Sequence, residues 1–357
     1  MAIRDSKIYH YIKTKYITWT KWEYMPMFWT NIPVFICYLY YSIRSLSITF
    51  FKYANPGIHM GGAFGVSKHE MMKDIPQGLL PKMFLSNKGE PITIAINRLK
   101  DAGIQYPIVL KPDIGERGFF VKKISTEKEL GQYLDTMPCD MIIQEFLDYP
   151  LEYTLSFNSL PEQPDSFKIT SVCQKGFMQI VGDGIHTGKE LMHQDKRFFL
   201  QITRFETQQM DWFDRVIPKG EVIYPEPIGN HNRGTAFYDA RNLISPDLIE
   251  HYKALCLGIK GIYIGRFDMK ADSEKDFIYC NVKIMELNGV LGEPVHVYDP
   301  GYSPITAYKD LFAQWKTIYT ISRLNRKPFR ISFSFKDAIE LVQNYFGHKK
   351  SLKALSK

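Results

Sequence analysis

Residues 281–294, NVKIMELNGVLGEP, place Glu286 and Asn288 two positions apart, on one face of an extended chain. By the same period Ile284 shares that face, and Lys283, Met285 and Leu287 take the other. Upstream, YIGRFDMKA (263–271) repeats the arrangement with Arg266 and Asp268, and the polar DSEKD between the two segments reads as a hairpin turn. Paired antiparallel, the strands would bring Asp268, Glu286 and Asn288 together as three hard oxygen ligands. Such a sparse set suits Mg²⁺, with Mn²⁺ as the alternative, because Mg²⁺ shares its shell with water and substrate phosphates. Arg266 would stand beside it as a clamp for phosphate or a developing oxyanion. A solvated hairpin face with an Arg–Glu pair is the alternative that needs no ligand.

Four further stretches carry groups suited to a polyphosphate ligand. In YPIVLKPDIGERGFFV (106–121), Lys111 ends a strand and a loop with Gly115, Arg117 and Gly118 follows. Backbone N–H groups of such a loop would close over phosphates while the lysine neutralises them. In IIQEFLDYPLEYTLSF (142–157), a short link between two strands carries Glu145 and Glu152. Its backbone would face a base and a glutamate would accept ribose hydroxyls; edge-strand glutamates facing water are the alternative. VGDGIHTGKEL (181–191) is a double-glycine turn with Asp183 that runs through His186 and Thr187 into a helix. EPIGNHNRGTAFYD (226–239) brings His231 and Arg233 to a place that would line phosphates or a second substrate, unless it is a surface loop with an Asn-Arg-Gly turn.

The elements around these residues mix short strands with helices. Ile92, Ala95, Ile96 and Leu99 recur at helical spacing before Gly103. Thr126 with Glu129, and Thr187 with Glu190, have capping-box spacing. Ser245 and Pro246 open a helix whose core face is Leu248, Tyr252, Leu255 and Ile259. Strands are expected at 106–112, in FFVKKI, DMIIQEF, EYTLSFN and SFKITSVCQ, and in the hairpin, where FIYCNVKIMELN forms the second strand. Two amphipathic helices near 305–323 and 335–347 close the chain. Antiparallel pairs between helices indicate an α+β, mixed α/β fold rather than a βαβ series.

At 357 residues, 45% hydrophobic and 23% charged, the chain has the composition of a globular protein with a sizeable core. A net charge of +7 fits nucleotides, nucleic acid or acidic lipid headgroups alike. Five scattered cysteines without a CxxC or CxxH pair argue against zinc and a disulfide framework and favour a reducing compartment. The N-terminus lacks the apolar core and small-residue cleavage site of a secretion signal. Residues 25–51 are the most apolar in the chain, but Pro26, Asn31 and Pro33 interrupt them. Trp19, Trp22 and Trp29 are three of its five tryptophans, and Lys13, Lys15, Lys21, Arg44 and Lys52 surround them. This suits the headgroup boundary of a bilayer; helices packed on the protein's own body or on a second subunit, or a membrane span, are the alternatives.

Taken in order, these pieces resemble the ATP-grasp superfamily, the fold of D-alanine–D-alanine ligase, glutathione synthetase and cyanophycin synthetase. The resemblance covers about residues 65–300. Lys111 in VLKP matches the lysine at the α-phosphate, and DIGERG matches the flexible phosphate-covering loop. QEFLDYPLEY looks like the adenine hinge, with Glu145, Phe146 and Leu147 at the linker and Glu152 as the ribose acid. GDGIHTGKEL, with His186, is similar to the GDG-x-x-T-x-x-EL stretch of the ligases. Asp268, Glu286 and Asn288 match the metal ligands, and Arg266 the arginine that stabilises acyl-phosphate and tetrahedral intermediates. Lys68 is the candidate first nucleotide lysine, with Lys73 as the alternative.

The resemblance implies two α+β subdomains clamping ATP, preceded by the aromatic-rich N-terminal helical segment. The expected boundaries are 1–60 for that segment, 61–300 for the ATP-grasp domain (61–145 and 146–300) and 301–357 for C-terminal helices. It implies a Mg²⁺-dependent ligase joining a carboxylate to an amine, with catalytic Arg266; Arg233 and His231 of the 226–239 stretch are the further catalytic candidates, read from their own residues. A phosphotransferase on the same fold and a non-catalytic nucleotide-binding protein are the alternatives. The expected partners are ATP, a small-molecule or lipid-linked carboxylate and an amine, with no nucleic acid; a membrane surface and a homodimer stay open. The expected location is cytoplasmic, or peripheral on the inner face of the cytoplasmic membrane. The family's usual Rossmann-like first domain has no room here, since the aromatic segment takes its place.

Overall fold

The computed structural model describes residues 7–63, 65–115, 120–226 and 229–326, together with Ile339 and Gln343. In chain order its helices are α1 (Lys7–Thr20), α2 (Met27–Ser45), α3 (Lys68–Met71), α4 (Ile92–Asp101), α5 (Glu127–Thr136), α6 (Gly188–Gln194), α7 (Lys196–Phe199), α8 (Ile202–Gln208), α9 (Pro246–Gly258), α10 (Glu274–Ile278) and α11 (Pro304–Asn325). The strands are β1 (Met83–Ser86), β2 (Ile108–Pro112), β3 (Lys122–Ile124), β4 (Met141–Glu145), β5 (Leu151–Leu160), β6 (Gln163–Gly176), β7 (Ile180–Val181), β8 (Val222–Ile223), β9 (Ala236–Asp239), β10 (Ile264–Ala271) and β11 (Lys283–Asn288). This is the mixed α+β architecture that the element pattern implies. The chain forms two compact units whose segments interleave, whereas the sequence reads as three consecutive pieces. One unit takes Met1–Ile36, Cys173–Asp239 and Val295–Asp310, and the other takes Cys37–Val172, Ala240–Pro294 and Leu311–Lys357.

In the larger unit one sheet has the order β1-β4-β2-β3, with each pair antiparallel. Its apolar side carries Ile108, Leu110, Ile124 and Ile143, which are buried with Ala95 and Leu99 of α4 and Leu130 of α5. Helix α5 starts where the sequence places it, because the Thr126 hydroxyl accepts from the Glu129 N–H at 3.2 Å and the Glu129 carboxylate accepts from the Ser125 N–H at 2.8 Å. The second sheet runs β11-β10-β5 and continues into β6. Alternate residues of its strands enter one core: Tyr153, Leu155 and Phe157 of β5, Phe267 and Met269 of β10, and Leu248, Tyr252 and Leu255 of α9. Period-two alternation therefore sends Glu152, Thr154, Ser156, Arg266, Asp268 and Lys270 to the opposite face.

Two sequence expectations change here. FIYC is not strand: Phe277 and Ile278 end α10, which Ser273 caps by accepting from the Asp276 N–H at 3.1 Å. Phe277 is buried and stacks on Tyr153 with ring centroids 4.1 Å apart, so core packing favours one helical turn over a longer strand. The helix near 305–323 is α11, and the one near 335–347 lies outside the described residues.

Residues 50–63 belong to the larger unit's core rather than to a separate N-terminal segment. Phe50, Phe51, Ala54 and Met60 are buried with Ile264, Val290 and Ile318. Asn55 is fully buried: its carbonyl accepts from the N–H groups of Tyr263 (2.9 Å) and Ile264 (3.1 Å), and its amide donates to the carbonyls of Gly61 (3.2 Å) and Ile264 (2.8 Å). Gly62, at φ +81°, lies against Gly289, whose Cβ, if present, would be 2.7 Å from the Gly62 Cα. The chain leaving the polar strand β11 is thus held by backbone contact that only glycine permits. Asn55→Ala is expected to lower the unfolding free energy by about 2–4 kcal/mol, because it leaves buried backbone groups unpaired. A urea titration reads this as a lower midpoint at constant slope.

The smaller unit has its own core of Ile17 from α1, Met178, Ile180, Met192, Phe199, Phe205, Phe213 and Ile217. Strands β7 and β8 pair antiparallel, and Cys173–Gly176 at the end of β6 pairs antiparallel with β9. Lys13 of α1 donates to the His193 carbonyl at 3.0 Å and lies 4.1 Å from the Phe199 ring centroid. Trp22 donates its indole N–H to the Val297 carbonyl at 2.7 Å. The N-terminal segment therefore packs one side of α1 on the protein's own body.

Candidate nucleotide and metal site

On the polar face of the larger unit's second sheet, the antiparallel register sets Arg266 opposite Asn288 and Asp268 opposite Glu286. Residues directly opposite on one face have Cβ atoms about 4.5–5.5 Å apart, within reach of a shared ligand. A β-bulge between Asp268 and Met269 pairs Met269 with Ile284, so Met285 is the extra residue. The bulge corrects the expected facing, since Ile284 joins Leu287 in the apolar core while Glu286 and Asn288 stay on the polar side. The isoleucine thus leaves the carboxylate's face. Arg266 donates through Nε to Asp268 Oδ1 at 2.9 Å and through Nη1 to the Glu293 carbonyl at 3.0 Å. Burial works against the Arg266 charge, but the Asp268 carboxylate outweighs it, and the guanidinium is held more firmly protonated than usual.

Two lysines stand beside Glu286. Lys68 sits at the start of α3, where Ser67 caps the turn and the Lys68 N–H donates to the Asp113 carbonyl at 3.2 Å. Its ammonium donates to the Gly115 carbonyl and lies 3.7 Å from Glu286 Oε1. Lys73 instead points to solvent and pairs with Glu70 at 3.3 Å, so Lys68 is the one brought to the carboxylate. Lys111 is buried, with Nζ 2.8 Å from Gln144 Oε1 and 2.9 Å from the Met285 carbonyl. Burial lowers its pKa to about 8; Glu286 opposes that shift and Lys68 adds to it. Arg117 and Gly118 lie outside the described residues, whereas Gly115 is described.

The hinge residues are fixed by their neighbours. The Glu145 carboxylate accepts from the Lys82 N–H at 2.7 Å, and the Glu145 N–H donates to the Lys82 carbonyl at 2.9 Å. The Phe146 ring lies 3.9 Å from Lys123 Nζ and 5.6 Å from Lys270 Nζ. Lys270 also donates to the Leu147 carbonyl at 2.9 Å and stands opposite Glu152, which is buried. The Glu145 carboxylate is therefore occupied by the Lys82 backbone.

Gln144, Thr154, Ser156 and Lys270 were not singled out from the sequence. Thr154 lies opposite Asp268 and Ser156 opposite Arg266 across β5 and β10. The hydroxyls of both, and Asn288 Nδ2, are buried without a hydrogen-bond partner. Buried polar atoms are normally paired, so a polar ligand on this face would satisfy groups that the protein leaves open. Their signal was the period-two series Glu152-x-Thr154-x-Ser156. Two carboxylates and one amide oxygen are hard donors that fit Mg²⁺ or Mn²⁺ with phosphate oxygens completing the shell. No group of three His, Cys, Asp or Glu side chains forms a metal cage among the described residues.

The smaller unit holds the other predicted residues. Asp183 accepts from the N–H groups of Ile185 (2.9 Å) and His186 (2.8 Å), and its Oδ2 is 2.6 Å from His186 Nδ1. Backbone donors hold the Asp183 carboxyl far below its usual range, and the Asp183 hydrogen bond raises His186. Thr187 and Glu190 form the expected capping box of α6. His231 stacks on Tyr24 and Phe237, with Nε2 2.8 Å from the Glu23 carbonyl and Nδ1 3.2 Å from the Thr235 carbonyl. Burial lowers its pKa, and the neutral ring donates to one of these two carbonyls at a time. Arg233 pairs with Glu226 at 3.5 Å, and Arg204 takes the other oxygen of that carboxylate at 2.5 Å. These contacts engage His231 and Arg233 within the smaller unit.

No protein-family model and no curated protein matches the chain. Among solved structures it is similar to a bifunctional glutathione synthetase from Pasteurella multocida, at 12% identity and TM-score 0.37, over 69% of this chain and 36% of that one. It is similar to a D-alanine–D-alanine ligase from Bacillus anthracis, at 16% identity and TM-score 0.45, over 76% of this chain and 72% of that one. It is also similar to the VanG D-Ala:D-Ser ligase from Enterococcus faecalis, at 13% identity and TM-score 0.40, over 72% of this chain and 64% of that one. The chain thus spans about a third of the length of the bifunctional synthetase, 36%.

Proposed function

We propose that the chain is an ATP-dependent ligase that joins a carboxylate to an amine through an acyl-phosphate. The observation that carries the reading is the register that sets Arg266 against Asn288 and Asp268 against Glu286, with Lys68 at 3.7 Å from Glu286. Nucleotide contacts would come from Lys68, Lys111, the loop with Gly115, Arg117 and Gly118, the linker Glu145–Phe146–Leu147 and the acid Glu152. Asp268, Glu286 and Asn288 would hold a divalent cation, which neutralises and aligns phosphates when bound. The substrate carboxylate oxygen attacks the γ-phosphorus and ADP departs. The amine nitrogen then attacks the acyl carbon, phosphate leaves, and the amine proton passes to solvent or to the departing phosphate.

The chain's own part in this is positioning and charge. Lys68 and Lys111 offset the negative charge on the transferring group, and Arg266, aligned by Asp268, covers the oxyanion of the tetrahedral stage. Arg266 is the leading catalytic group in this reading; Arg233, which pairs with Glu226, and His231, which meets two carbonyls, are the further catalytic candidates. No nucleophilic side chain of the protein is needed. We place the reaction on the cytoplasmic side, at the inner face of the membrane, with a lipid-linked or envelope-associated carboxylate or amine as substrate; the exposed aromatic residues of α1 and α2 support this.

The test is ADP release by the purified protein with Mg-ATP and pools of carboxylates and amines. ADP, free phosphate and a new amide in equal amounts are expected. A phosphoryl group retained on the product would overturn the ligase in favour of a phosphotransferase, and absence of Mg-ATP binding would overturn both.

A further inference from the structure

Helix α2 is amphipathic in the inverted sense. Its buried positions are small or hydroxyl-bearing, Thr30, Val34, Ser42 and Ser45, while Phe28, Ile32, Phe35, Ile36, Leu39 and Ile43 are exposed. At 100° per residue these six fall within an arc of roughly 100°, the width of the apolar stripe that a helix normally turns to a core. Phe28 is 73% exposed and Ile43 74%. Trp29 and Tyr40 are exposed at the edge of the stripe, with Arg44 beyond them. Helix α1 has a similar outward series, Ile8, Tyr11, Ile12, Tyr16 and Trp19, with Lys7 and Lys15 exposed among them. Exposed apolar surface of this extent marks an interaction site.

We infer that α2 docks in the plane of an anionic lipid bilayer, with its apolar stripe below the headgroups. The charge pattern selects this occupant. From Lys7 to His69 the chain has seven Lys or Arg residues and one acid, Glu23. That acid is consumed by Arg197 at 3.2 Å and its side chain is 7% exposed. A second copy seated on the stripe would bring like charges together, whereas acidic headgroups neutralise them. The helix lies in the interface and does not cross it, since no helix among the described residues is long and apolar enough to span. Tryptophan, tyrosine and arginine at the margin of the stripe are the residues that a headgroup layer accommodates. The docking rests on the membrane siting proposed above and is independent of the ligase chemistry.

The experiment is flotation of the full chain with phosphatidylcholine vesicles, with and without phosphatidylglycerol, alongside light scattering without lipid. The wild type is expected to be monomeric and to float with the anionic vesicles. The triple variant Phe28→Asn/Phe35→Asn/Ile43→Asn should stay at the bottom while keeping its circular dichroism and Mg-ATP binding. Ile94→Asn, an exposed apolar residue on α4, should float as the wild type does. Arg44→Glu should weaken binding to anionic vesicles by roughly fivefold or more, which tests the docking even if the triple variant misfolds. Failure of the wild type to float, equal flotation of the triple variant, or a wild-type dimer that the triple variant splits would each overturn the inference. Mg-ATP binding, read on the same samples, reports separately on the ligase reading.

Discussion

Glu286→Gln is expected to abolish ATP-dependent turnover, with kcat/KM falling by about 100-fold or more, while the protein keeps its fold. Glu286 is the carboxylate opposite Asp268 in the register and the partner of Lys68 at 3.7 Å. The amide keeps its volume and one oxygen but removes the charge that a divalent cation needs. Loss of groups that merely support a metal site costs about 10–100-fold, so loss of a direct ligand should lie at or beyond the upper end. The stability effect should be small, within about 1 kcal/mol, because the Lys68 pair is long and a third of the Glu286 side chain is exposed. Initial rates of ADP formation across a Mg²⁺ titration, with a thermal melt of each protein, measure both. A variant with full turnover at ordinary Mg²⁺ would sink the metal assignment, and one that unfolds would mark Glu286 as structural.

What the sequence made legible was local. Thr126 with Glu129, Thr187 with Glu190, and Ser245 before Pro246 mark helix starts through bonds spanning three or four residues, and each helix begins there. The strand period likewise put Arg266, Asp268, Glu286 and Asn288 on one face. It misassigned Ile284 because a bulge inserts one residue at Met285 and reverses the alternation on one side only. Strict period two cannot register such an insertion, and the isoleucine it assigns to the carboxylate's face packs in the core. Thr154 and Ser156 were in plain view in the same period as Glu152, but hydroxyls on a strand become notable only when their burial without partners is known.

The rest was hidden because it is non-local. Asn55 meets Ile264 and Tyr263, and Trp22 meets Val297, across more than two hundred positions of the chain. No composition shift announces such pairings, so the aromatic N-terminus looked like a separate segment. The choice between Lys68 and Lys73 was equally beyond spacing, because both follow the same turn. One short helix separates the two side chains: Lys68 lies at Gly115, while Lys73 folds back on Glu70. The apolar run of α2 was visible, but which of its faces meets solvent depends on what the body offers as a partner.

Lys111→Met is expected to weaken Mg-ATP binding by roughly 10–100-fold, the usual worth of a hydrogen bond to a charged group. Its effect on stability should be much smaller, since two terms oppose each other. Removing a buried ammonium relieves a desolvation cost, while Gln144 Oε1 and the Met285 carbonyl lose their donor. The pH dependence identifies the lysine's role. Burial lowers the Lys111 pKa to about 8, so in the unliganded protein it begins to lose its charge above that pH. Phosphate oxygens favour the charged form, so binding takes up a proton and affinity falls as pH rises through about 8. For folding the sign is opposite: the cost of holding the charged lysine is fully present below about pH 8. That cost is lifted as pH rises toward the unfolded value of about 10.4. The wild type should therefore gain stability relative to Lys111→Met across that window. Calorimetric titration with Mg-ATP at several pH values, in buffers of different ionisation enthalpy, reads the proton uptake directly. A pH-independent affinity in the wild type, or the same pH dependence in Lys111→Met, would remove Lys111 from the nucleotide site.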